Sequence, residues 1–293
     1  MSDHWTNYWQ QGHLTSFGNG FKNNYQGALQ QFWYSFANKL EENAAVLDVG
    51  TGNGALIQLL QKDKKLNCFG VDQATIHPEV SKSIGGTFLS NTAVEKLPFN
   101  DDEFSCVVAQ FALEYSLINE SIQEVFRVLD GKGIFAFVCH HPESIIVKPN
   151  TLILSAAHFV KRNITPSLTA LISCLDEKGF ASAERYFDEI NTQIKNEFKN
   201  DTDALAGTNL PAFLGFLLQN VNNKIDFKKA LSLFMNELDL LILRLTELVN
   251  AATQSTTLIN KVKAVSTSYD EGKIFDNNHS GLLATYIVGK ASI

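Results

Sequence analysis

Residues 46–54 read VLDVGTGNG and join an apolar segment to a turn rich in glycine. The apolar residues up to Val49 predict a short strand, the alternate glycines from Gly50 to Gly54 predict a tight turn, and Ala55–Lys62 is compatible with a helix. Glycine is needed where φ is positive or where a ligand lies directly on the backbone. Free N–H groups at the start of the helix favour an anion. Strand, turn and helix in this order predict the first unit of a nucleotide-binding α/β fold.

Asp48 refines this interpretation, because it lies just before the first glycine, at the carboxyl end of the predicted strand. A carboxylate there repels a pyrophosphate and attracts an ammonium or a sulfonium group. However, Gly50, Gly52 and Ala55 also satisfy the dinucleotide pattern G-x-G-x-x-A. A nicotinamide-dependent oxidoreductase therefore remains an alternative, as does a tight turn without any ligand.

The composition describes a folded globular chain of 293 residues, of which 45% are hydrophobic and 19% charged. The formal net charge of −7 disfavours general attraction to nucleic acid. Four cysteines (Cys68, Cys106, Cys139 and Cys174) show no C-x-x-C spacing and are interpreted as buried apolar residues. The sequence shows neither a signal peptide nor a membrane span, so we expect a cytoplasmic protein.

Strands and helices alternate after residue 46, which predicts a doubly wound, mostly parallel sheet. The predicted strands are 46–49, 66–71, 86–89, 104–109 and 133–139. Ligands of such sheets bind at the carboxyl ends of the strands. Asp72 and Gln73 follow the second strand at this edge, and a carboxylate such as Asp72 can accept hydrogen bonds from both hydroxyls of a ribose.

Four ordered segments carry a resemblance to a known family. They are DVGTGNG (48–54), NTAVEKLPFNDDEF (91–104), QFALEY (110–115) and RVLDGKG (127–133). Together they resemble class I S-adenosylmethionine (SAM)-dependent methyltransferases of the small-molecule type. The resemblance implies an α/β fold with a doubly wound, mostly parallel, seven-stranded Rossmann-like sheet. Residues 281–290, GLLATYIVGK, resemble the last strand of that sheet, which runs antiparallel.

The resemblance also implies SAM as the cofactor and S-adenosyl-L-homocysteine (SAH) as its product. In that family the glycines cradle the methionine end of SAM, the first acid orients its ammonium group, and the loop after the third strand walls the adenine. Ala93 stands where the family usually has Asp. The predicted cofactor-binding residues are Asp48, Gly50, Thr51, Gly52, Gly54, Asp72, Gln73, Ala93, Val94, Glu95, Gln110 and Phe111.

Aromatic residues before the first strand predict either a packed helix or a lid over the cofactor site. The predicted substrate-binding residues are Trp5, Tyr8, Trp9, Glu114 and Tyr115. His140 and His141 follow the fifth strand and are the predicted catalytic residues, because a histidine there could take a proton from the acceptor. With Glu143 they could also ligate a metal. Adjacent residues at a strand end point in opposite directions, so no metal site is predicted.

The pattern predicts four regions. They are an aromatic-rich N-terminal cap or helix (1–40), a SAM-binding Rossmann-like core (41–145), a helical insertion or cap (146–235), and a long helix with C-terminal strands that complete the core (236–293). Apolar residues recur at spacings of three and four from Leu231 to Leu248 and predict a seam along one helix. These apolar residues pack either against other helices in the core or against a second copy of the chain in a homodimer.

The sequence therefore predicts a SAM-dependent methyltransferase that acts on a small-molecule acceptor. One alternative is an RNA or protein methyltransferase; the acidic net charge and the lack of an Asn/Asp-Pro-Pro-Tyr/Phe motif after the fourth strand weaken the nucleic-acid version. A nicotinamide-dependent oxidoreductase is disfavoured by Asp48 and by the LPF segment. A non-catalytic SAM-binding or dimeric interaction protein is a third alternative, because a fold alone does not establish catalysis.

Overall fold

The computed structural model describes residues 4–17, 24–178, 180–199, 201–221, 223, 225–278 and 280–291. The chain divides into two compact units. Unit 1 consists of Met1–Ile145 and Asn250–Ile293, and unit 2 consists of Ile146–Val249. Of the predicted N-terminal region 1–40, residues 1–3 and 18–23 lie outside the described part of the chain.

Unit 1 contains a seven-stranded sheet with the strand order β3-β2-β1-β4-β5-β7-β6. Its strands are β1 (Ala45–Val49), β2 (Asn67–Val71), β3 (Thr87–Leu89), β4 (Phe104–Gln110), β5 (Leu129–Cys139), β6 (Ser266–Phe275) and β7 (Leu282–Ala291). Strands β1 to β5 pair in parallel, whereas β7 runs antiparallel to both β5 and β6. The prediction of a doubly wound, mostly parallel, seven-stranded sheet is confirmed.

Helices connect the parallel strands, as a doubly wound sheet requires. The described helices are α1 (His4–Gln10), α2 (Gly27–Ala37), α3 (Ala55–Leu60), α4 (Pro78–Ile84), α5 (Ile118–Val128), α6 (Val147–Phe159), α7 (Thr165–Lys178), α8 (Phe180–Glu197), α9 (Thr202–Ala206), α10 (Leu210–Asn220) and α11 (Phe227–Ala264). A 3-10 turn at Leu113–Tyr115 follows β4. A π-helical turn at Val160–Ile164 joins α6 to α7.

The core of unit 1 forms where the central strands carry apolar residues that alternate between the two faces of the sheet. Val107 of β4 and Phe135 of β5 are fully buried and pack in one cluster with Val125 of α5 and with Val262, near the end of α11. Helix α5 contributes its inward apolar face, as the spacing of its residues predicts. This packing fixes the carboxyl ends of the strands, where the site lies.

Strand β6 was not predicted from the sequence, and its burial explains why. Nine of its ten residues are exposed or half-buried, so it lacks the alternation of apolar and polar residues that identifies a strand. Strand β5 also begins earlier than predicted, at Leu129 instead of Gly133, with a register shift against β4 between Phe104 and Cys106. A glycine-containing segment was therefore predicted as a turn although it pairs as a strand.

Unit 2 is helical and has its own apolar core. Buried residues from every part of the unit contribute to it, among them Leu171, Ile190, Leu217 and Leu238. The predicted boundary at residues 235 and 236 falls inside α11. None of the helices in the described part of the chain is long and apolar enough to cross a membrane. The four cysteines, three in unit 1 and Cys174 in unit 2, are buried free thiols.

Candidate active site

A cavity of about 100 Å³ lies at the carboxyl ends of β1, β2 and β4, within unit 1. Its described lining comes from the N-terminal segment, from the turns after these three strands and from the loop after β3. The lining residues are Trp5, Trp9, Leu14, Ser16, Tyr25, Asp48, Val49, Gly50, Thr51, Ala55, Leu56, Val71, Asp72, Gln73, Thr92, Val94, Gln110, Phe111, Ala112, Tyr115 and Ser116. The location agrees with the rule for ligands of open α/β sheets.

The glycine turn after β1 brings its backbone against neighbouring side chains. Gly50 has φ +71, and a Cβ there would lie 2.2 Å from the Cβ of Ala112. Gly52 has φ +53, and a Cβ there would lie 2.6 Å from the ring of Trp9. Both positions therefore require glycine for backbone conformation and for space. Gly50 and Thr51 of this turn line the cavity.

Asp48 is buried at the base of this turn. Its Oδ2 accepts a hydrogen bond of 2.7 Å from the hydroxyl of Thr51. Burial, together with repulsion from Asp72, raises the pKa of the Asp48 carboxyl to about 7. An arriving cation would restore the ionised form, because an opposite charge lowers the pKa of a carboxyl group. Asp48 thus suits an ammonium group.

Asp72 follows β2, and its carboxyl group forms hydrogen bonds to the backbone of two turns. Its Oδ2 accepts from the N–H of Gly52 at 2.8 Å, and its Oδ1 accepts from the N–H of Ala74 at 2.8 Å. Burial raises the pKa of the Asp72 carboxyl, and these two hydrogen bonds oppose the rise. Each oxygen keeps a further lone pair. The carboxylate can therefore accept from the two hydroxyls of a ribose without releasing the backbone.

The loop after β3 supplies an apolar wall to the cavity, through Thr92 and Val94. Ala93 and Glu95 do not line the cavity. The Oε1 of Glu95 instead accepts a 2.9 Å hydrogen bond from the N–H of Leu117, at the start of α5. Of the three residues predicted for the adenine, the structure brings Val94 to the cavity.

Gln110 ends β4 and faces the cavity. Its Oε1 accepts a 2.6 Å hydrogen bond from the indole N–H of Trp33. Its amide also interacts with the hydroxyl of Tyr25, which opposes the rise that burial causes in the pKa of Tyr25. Gln110 therefore connects the end of β4 to α2 and to the segment before it.

Phe111 follows with φ +54, a left-handed conformation that a bulky side chain rarely adopts. Its ring lines the cavity on one side and stacks on the ring of His140, with centroids 4.2 Å apart and planes 10° from parallel. His140 itself lies outside the cavity lining. Burial lowers the pKa of its imidazole to about 3, so the ring is neutral.

The other predicted polar residues lie around this ring pair. Glu114 is buried and its Oε1 accepts from the backbone N–H of His140 at 2.8 Å. His141 is half-buried, and its Nδ1 accepts from the N–H of Glu143 at 3.1 Å. Neither Glu114 nor His141 lines the cavity. No cluster of His, Cys, Asp or Glu within the described ranges has the geometry of a metal site.

The N-terminal segment covers the cavity, and Asn53 of the glycine turn holds it there. The fully buried Asn53 side chain donates to the carbonyls of Trp9 (3.0 Å) and His13 (2.7 Å) and accepts from the N–H of His77 (2.8 Å). Trp5 stacks on Trp9 and meets Tyr115 edge-on. Tyr8 lies outside the cavity lining, although it packs against Trp5 and Trp9.

The cavity brings together most of the predicted site residues. Those that line it are Trp5, Trp9, Asp48, Gly50, Thr51, Asp72, Gln73, Val94, Gln110, Phe111 and Tyr115. Those that do not are Tyr8, Gly52, Gly54, Ala93, Glu95, Glu114, His140 and His141. The sequence analysis missed Asn53 as well as Tyr25, whose hydroxyl accepts from the N–H of Ser16. Asn53 lies inside the glycine motif, which is the one signal that could have identified it.

Comparison with known proteins identifies a domain within unit 1. Residues 47–137 match the family model of the methyltransferase domain. A comparison with curated proteins gives no match. Among solved structures, a SAM-dependent methyltransferase from Methanosarcina mazei is 22% identical over 36% of this chain and 57% of its own, with a TM-score of 0.32.

Two further solved structures are similar. A candidate SAM-dependent methyltransferase from Methanococcus maripaludis is 13% identical over 91% of this chain and 86% of its own, with a TM-score of 0.43. A candidate methyltransferase solved with the Haloferax volcanii Trm112 activator is 25% identical over 37% of this chain, with a TM-score of 0.33. This chain spans 52% of the length of that protein.

The residues at the site fit the cofactor of this family. A glycine turn that excludes Cβ atoms, two carboxyl groups and the amide of Gln110 surround one cavity. With the match of residues 47–137 to the methyltransferase domain, these features support a class I SAM-dependent methyltransferase domain in this part of the chain, with SAM as its cofactor.

Proposed function

We propose that this protein transfers the methyl group of SAM to a small-molecule acceptor in the cavity of unit 1. The observation that carries the proposal is the convergence of the glycine turn, Asp48, Asp72 and the residues after β4 on one cavity. We assign Asp48 to the ammonium group of SAM and Asp72 to its ribose. Gln73 and Val94 would border the adenine, and Gln110 would donate to the methionine end.

Catalysis by this chain would rest on positioning. Bound SAM supplies a methyl group that its sulfonium already activates. The glycine turn would hold SAM in line with the acceptor, and such positioning alone can supply a large part of a rate enhancement. Trp5 and Trp9 would exclude water and face the sulfonium with aromatic rings. A base is needed only if the acceptor carries a proton at the working pH.

His140 and His141 remain the proposed sources of such a base. The neutral imidazole of His140 lies one ring away from the cavity, behind Phe111. His141 is half-buried, and its pKa is lowered by burial, then by the charge of Lys273. Of the two, His140 is the one that contacts a residue of the cavity wall.

Two observations favour a small acceptor over RNA. The cavity is small and lies beneath the N-terminal segment. Lys, Arg and His are absent from its described lining residues, whereas nucleic-acid sites use cations to neutralise phosphates. The net charge of −7 points the same way.

The homodimer through the helical region stays a prediction. Helix α11 exposes Leu233, Leu240 and Leu243 in unit 2. Light scattering of the purified chain would measure the oligomeric state. A monomer at all concentrations would remove this prediction without affecting the proposed methyl transfer.

The proposed function is tested by calorimetric titration of the purified chain with SAM, SAH and NADH. We expect SAM and SAH to bind and NADH not to bind. Binding of NADH alone would overturn the proposal in favour of an oxidoreductase. The second step follows labelled methyl groups from SAM into a cell extract that has been separated into small molecules, RNA and protein. If SAM binds but no fraction becomes labelled, a non-catalytic SAM-binding protein is the better description.

A further inference from the structure

Two buried polar atoms beside the cavity have no hydrogen-bond partner among the described residues. They are the Oε2 of Glu114 and the Nδ1 of His140. Glu114 is 1% exposed and His140 is 5% exposed, so water does not readily satisfy either atom. Buried polar groups in native proteins are nearly always paired, and an exception calls for a specific cause. A bound ligand with a hydrogen-bond donor is such a cause.

The two side chains lie together because β5 ends beside the 3-10 turn that follows β4. The Oε1 of Glu114 accepts from the backbone N–H of His140, which fixes the carboxyl group against the end of β5. The ring of His140 stacks on Phe111 and meets Tyr115 edge-on, with centroids 5.9 Å apart. Phe111 and Tyr115 both line the cavity. The polar pair is therefore separated from the cavity by these two aromatic rings.

Phe111 forms the wall between His140 and the cavity. Its φ of +54 is a conformation that phenylalanine rarely adopts, and its N–H donates to the carbonyl of Val138 at 2.8 Å. The backbone is thus anchored, while the ring packs between His140 and Phe17, whose centroid lies 5.8 Å away. Rotation of the Phe111 side chain about χ1 would remove this wall from in front of His140.

The charges around the cavity indicate what kind of ligand would enter this space. Asp48 and Asp72 are acidic, and Lys, Arg and His are absent from the described lining. No cationic side chain contributes to the pKa shift of the Asp48 or the Asp72 carboxyl group. An anionic acceptor would find no cationic side chain of the described lining to pair with. Asp48 is assigned to the ammonium group of SAM, which leaves Glu114 for a donor on the acceptor.

We propose that the acceptor is a basic amine, and that Glu114 and His140 bind its nitrogen once the ring of Phe111 has turned aside. This inference rests on the proposed methyl transfer and specifies its substrate class. A neutral imidazole nitrogen and a carboxylate both accept hydrogen bonds, so together they match the N–H groups of an ammonium ion. The rings of Phe111 and Tyr115 add an apolar and π-rich border that favours an organic cation.

For an ammonium acceptor, Glu114 takes the role of base in place of His140, whose pKa is lowered to about 3 by burial. An ammonium nitrogen has no lone pair, so it must first give one proton to the Glu114 carboxylate, which becomes a carboxylic acid. The freed lone pair then forms the N–C bond while the C–S bond breaks and its electron pair stays on sulfur. The product is a methylated ammonium ion and SAH, and the proton on Glu114 returns to solvent. Burial raises the pKa of Glu114 to about 7, which suits a group that takes and releases a proton near neutrality.

The test uses the full chain saturated with SAH, so that the cofactor site is filled and only the acceptor site is titrated. The probes are 2-phenylethylamine, 2-phenylethanol and 3-phenylpropionate, which share a ring and differ in the charge of the end group. At about pH 8 we expect the amine to bind at least about tenfold more tightly than the alcohol, and the carboxylate to bind most weakly.

The matched variants are Glu114→Gln and Glu120→Gln. Glu114→Gln keeps an oxygen for the N–H of His140 but loses the charge, so we expect amine affinity to fall about tenfold while alcohol and SAH affinities stay within about twofold. Glu120 is an exposed residue of α5, and its variant should bind all probes as the wild type does. Circular dichroism verifies that both variants fold.

The outcomes separate this inference from the proposed function. Failure of SAH to bind would contradict the proposed function itself. Normal SAH binding with equal affinities for amine and alcohol, or with no binding of the amine, would overturn the amine assignment alone. An unchanged amine affinity in Glu114→Gln would overturn the role of Glu114. If that variant does not fold, the relative affinities of the wild type for the three probes still test the amine assignment.

Discussion

The two ends of the cavity differ in how completely their polar groups are bonded. At the cofactor end, Asp48, Asp72 and Asn53 all have hydrogen-bond partners within the chain. Behind the aromatic wall at the far end, Glu114 and His140 each keep a buried atom without a partner in the described part of the chain. The cofactor end is therefore preorganised, whereas the proposed acceptor would complete the far end. Changes at the first end should cost stability and cofactor affinity together, and changes at the second end should not.

The largest effect is expected from Gly50→Ala. The new methyl group would overlap the Cβ of Ala112 and would sit on a backbone with positive φ. We expect calorimetry to detect no SAM binding. Gly85→Ala is the matched control, because Gly85 has φ +86 but open space around its Cβ position. The control should lose about 1 kcal/mol of stability and retain SAM affinity. Equal SAM affinity in both variants would show that the glycine turn is not preorganised for the cofactor.

Asn53→Ala should produce the next largest effect. It removes three hydrogen bonds and leaves the carbonyls of Trp9 and His13 and the N–H of His77 without this partner. We expect the free energy of unfolding, measured by urea denaturation, to fall by about 3 kcal/mol. Tryptophan fluorescence should also report a change around Trp9. A loss below about 0.5 kcal/mol would mean that Asn53 does not hold the N-terminal segment.

Asp72→Ala should weaken SAM binding by at least about tenfold, because it removes the acceptor assigned to the ribose hydroxyls. It also frees the N–H groups of Gly52 and Ala74, so part of the loss comes through the turn. Asp72→Asn keeps one side-chain oxygen as an acceptor, so comparison of the two variants separates loss of the ribose contact from disturbance of the turn. An unchanged affinity for SAM in Asp72→Ala would show that the ribose contact is wrongly assigned.

The last expected effect concerns pH and the far end of the cavity. Burial raises the pKa of Glu114 to about 7 in the folded chain. Between about pH 4.3, the pKa of an unfolded glutamate, and about pH 7, the folded chain holds a proton that the unfolded chain releases. This group therefore lowers the free energy of unfolding as pH rises through that window. Glu114→Gln should remove the effect.

The measurement compares Glu114→Gln with Glu120→Gln by urea denaturation from about pH 5 to about pH 8. Relative to the wild type, Glu114→Gln should gain about 2.5 kcal/mol as the pH rises across this range, while Glu120→Gln should not change. Asp48 contributes in the same direction and His140, whose pKa is lowered to about 3, in the opposite one; both remain in the variant and cancel in the comparison. The raised pKa of Glu114 would be contradicted if Glu114→Gln lost more stability than the wild type on raising the pH.

The cofactor end and the far end of the cavity also differ in how well the sequence predicts them. The sheet followed from local patterns, because apolar runs such as that of β1 and the glycine turn after it are recognisable in isolation. Asp48 and Asp72 could be placed because the carboxyl ends of parallel strands lie on one edge. Strand β6 could not, because its side chains are exposed on both faces and it depends on pairing with β7.

The far end of the cavity was harder to predict, because it depends on contacts between distant residues. Glu114 and His140 were identified as site residues, but no sequence pattern shows that Phe111 separates His140 from the cavity. Glu95 was predicted beside the adenine, yet a helix start elsewhere occupies its carboxylate. The bond between Trp33 and Gln110 joins residues far apart in sequence, and it cannot be inferred from either segment.

The buried thiols give a way to observe the two units separately. Burial raises the pKa of Cys68 to about 12 and raises that of Cys139 well above the usual thiol value, so neither forms the reactive thiolate while unit 1 is closed. Cys174 is buried in unit 2. An alkylating reagent would therefore modify each cysteine only when its surroundings open. Mass spectrometry of the modified peptides would then report local opening rates, and added SAM should slow alkylation of Cys68 and Cys139 more than that of Cys174.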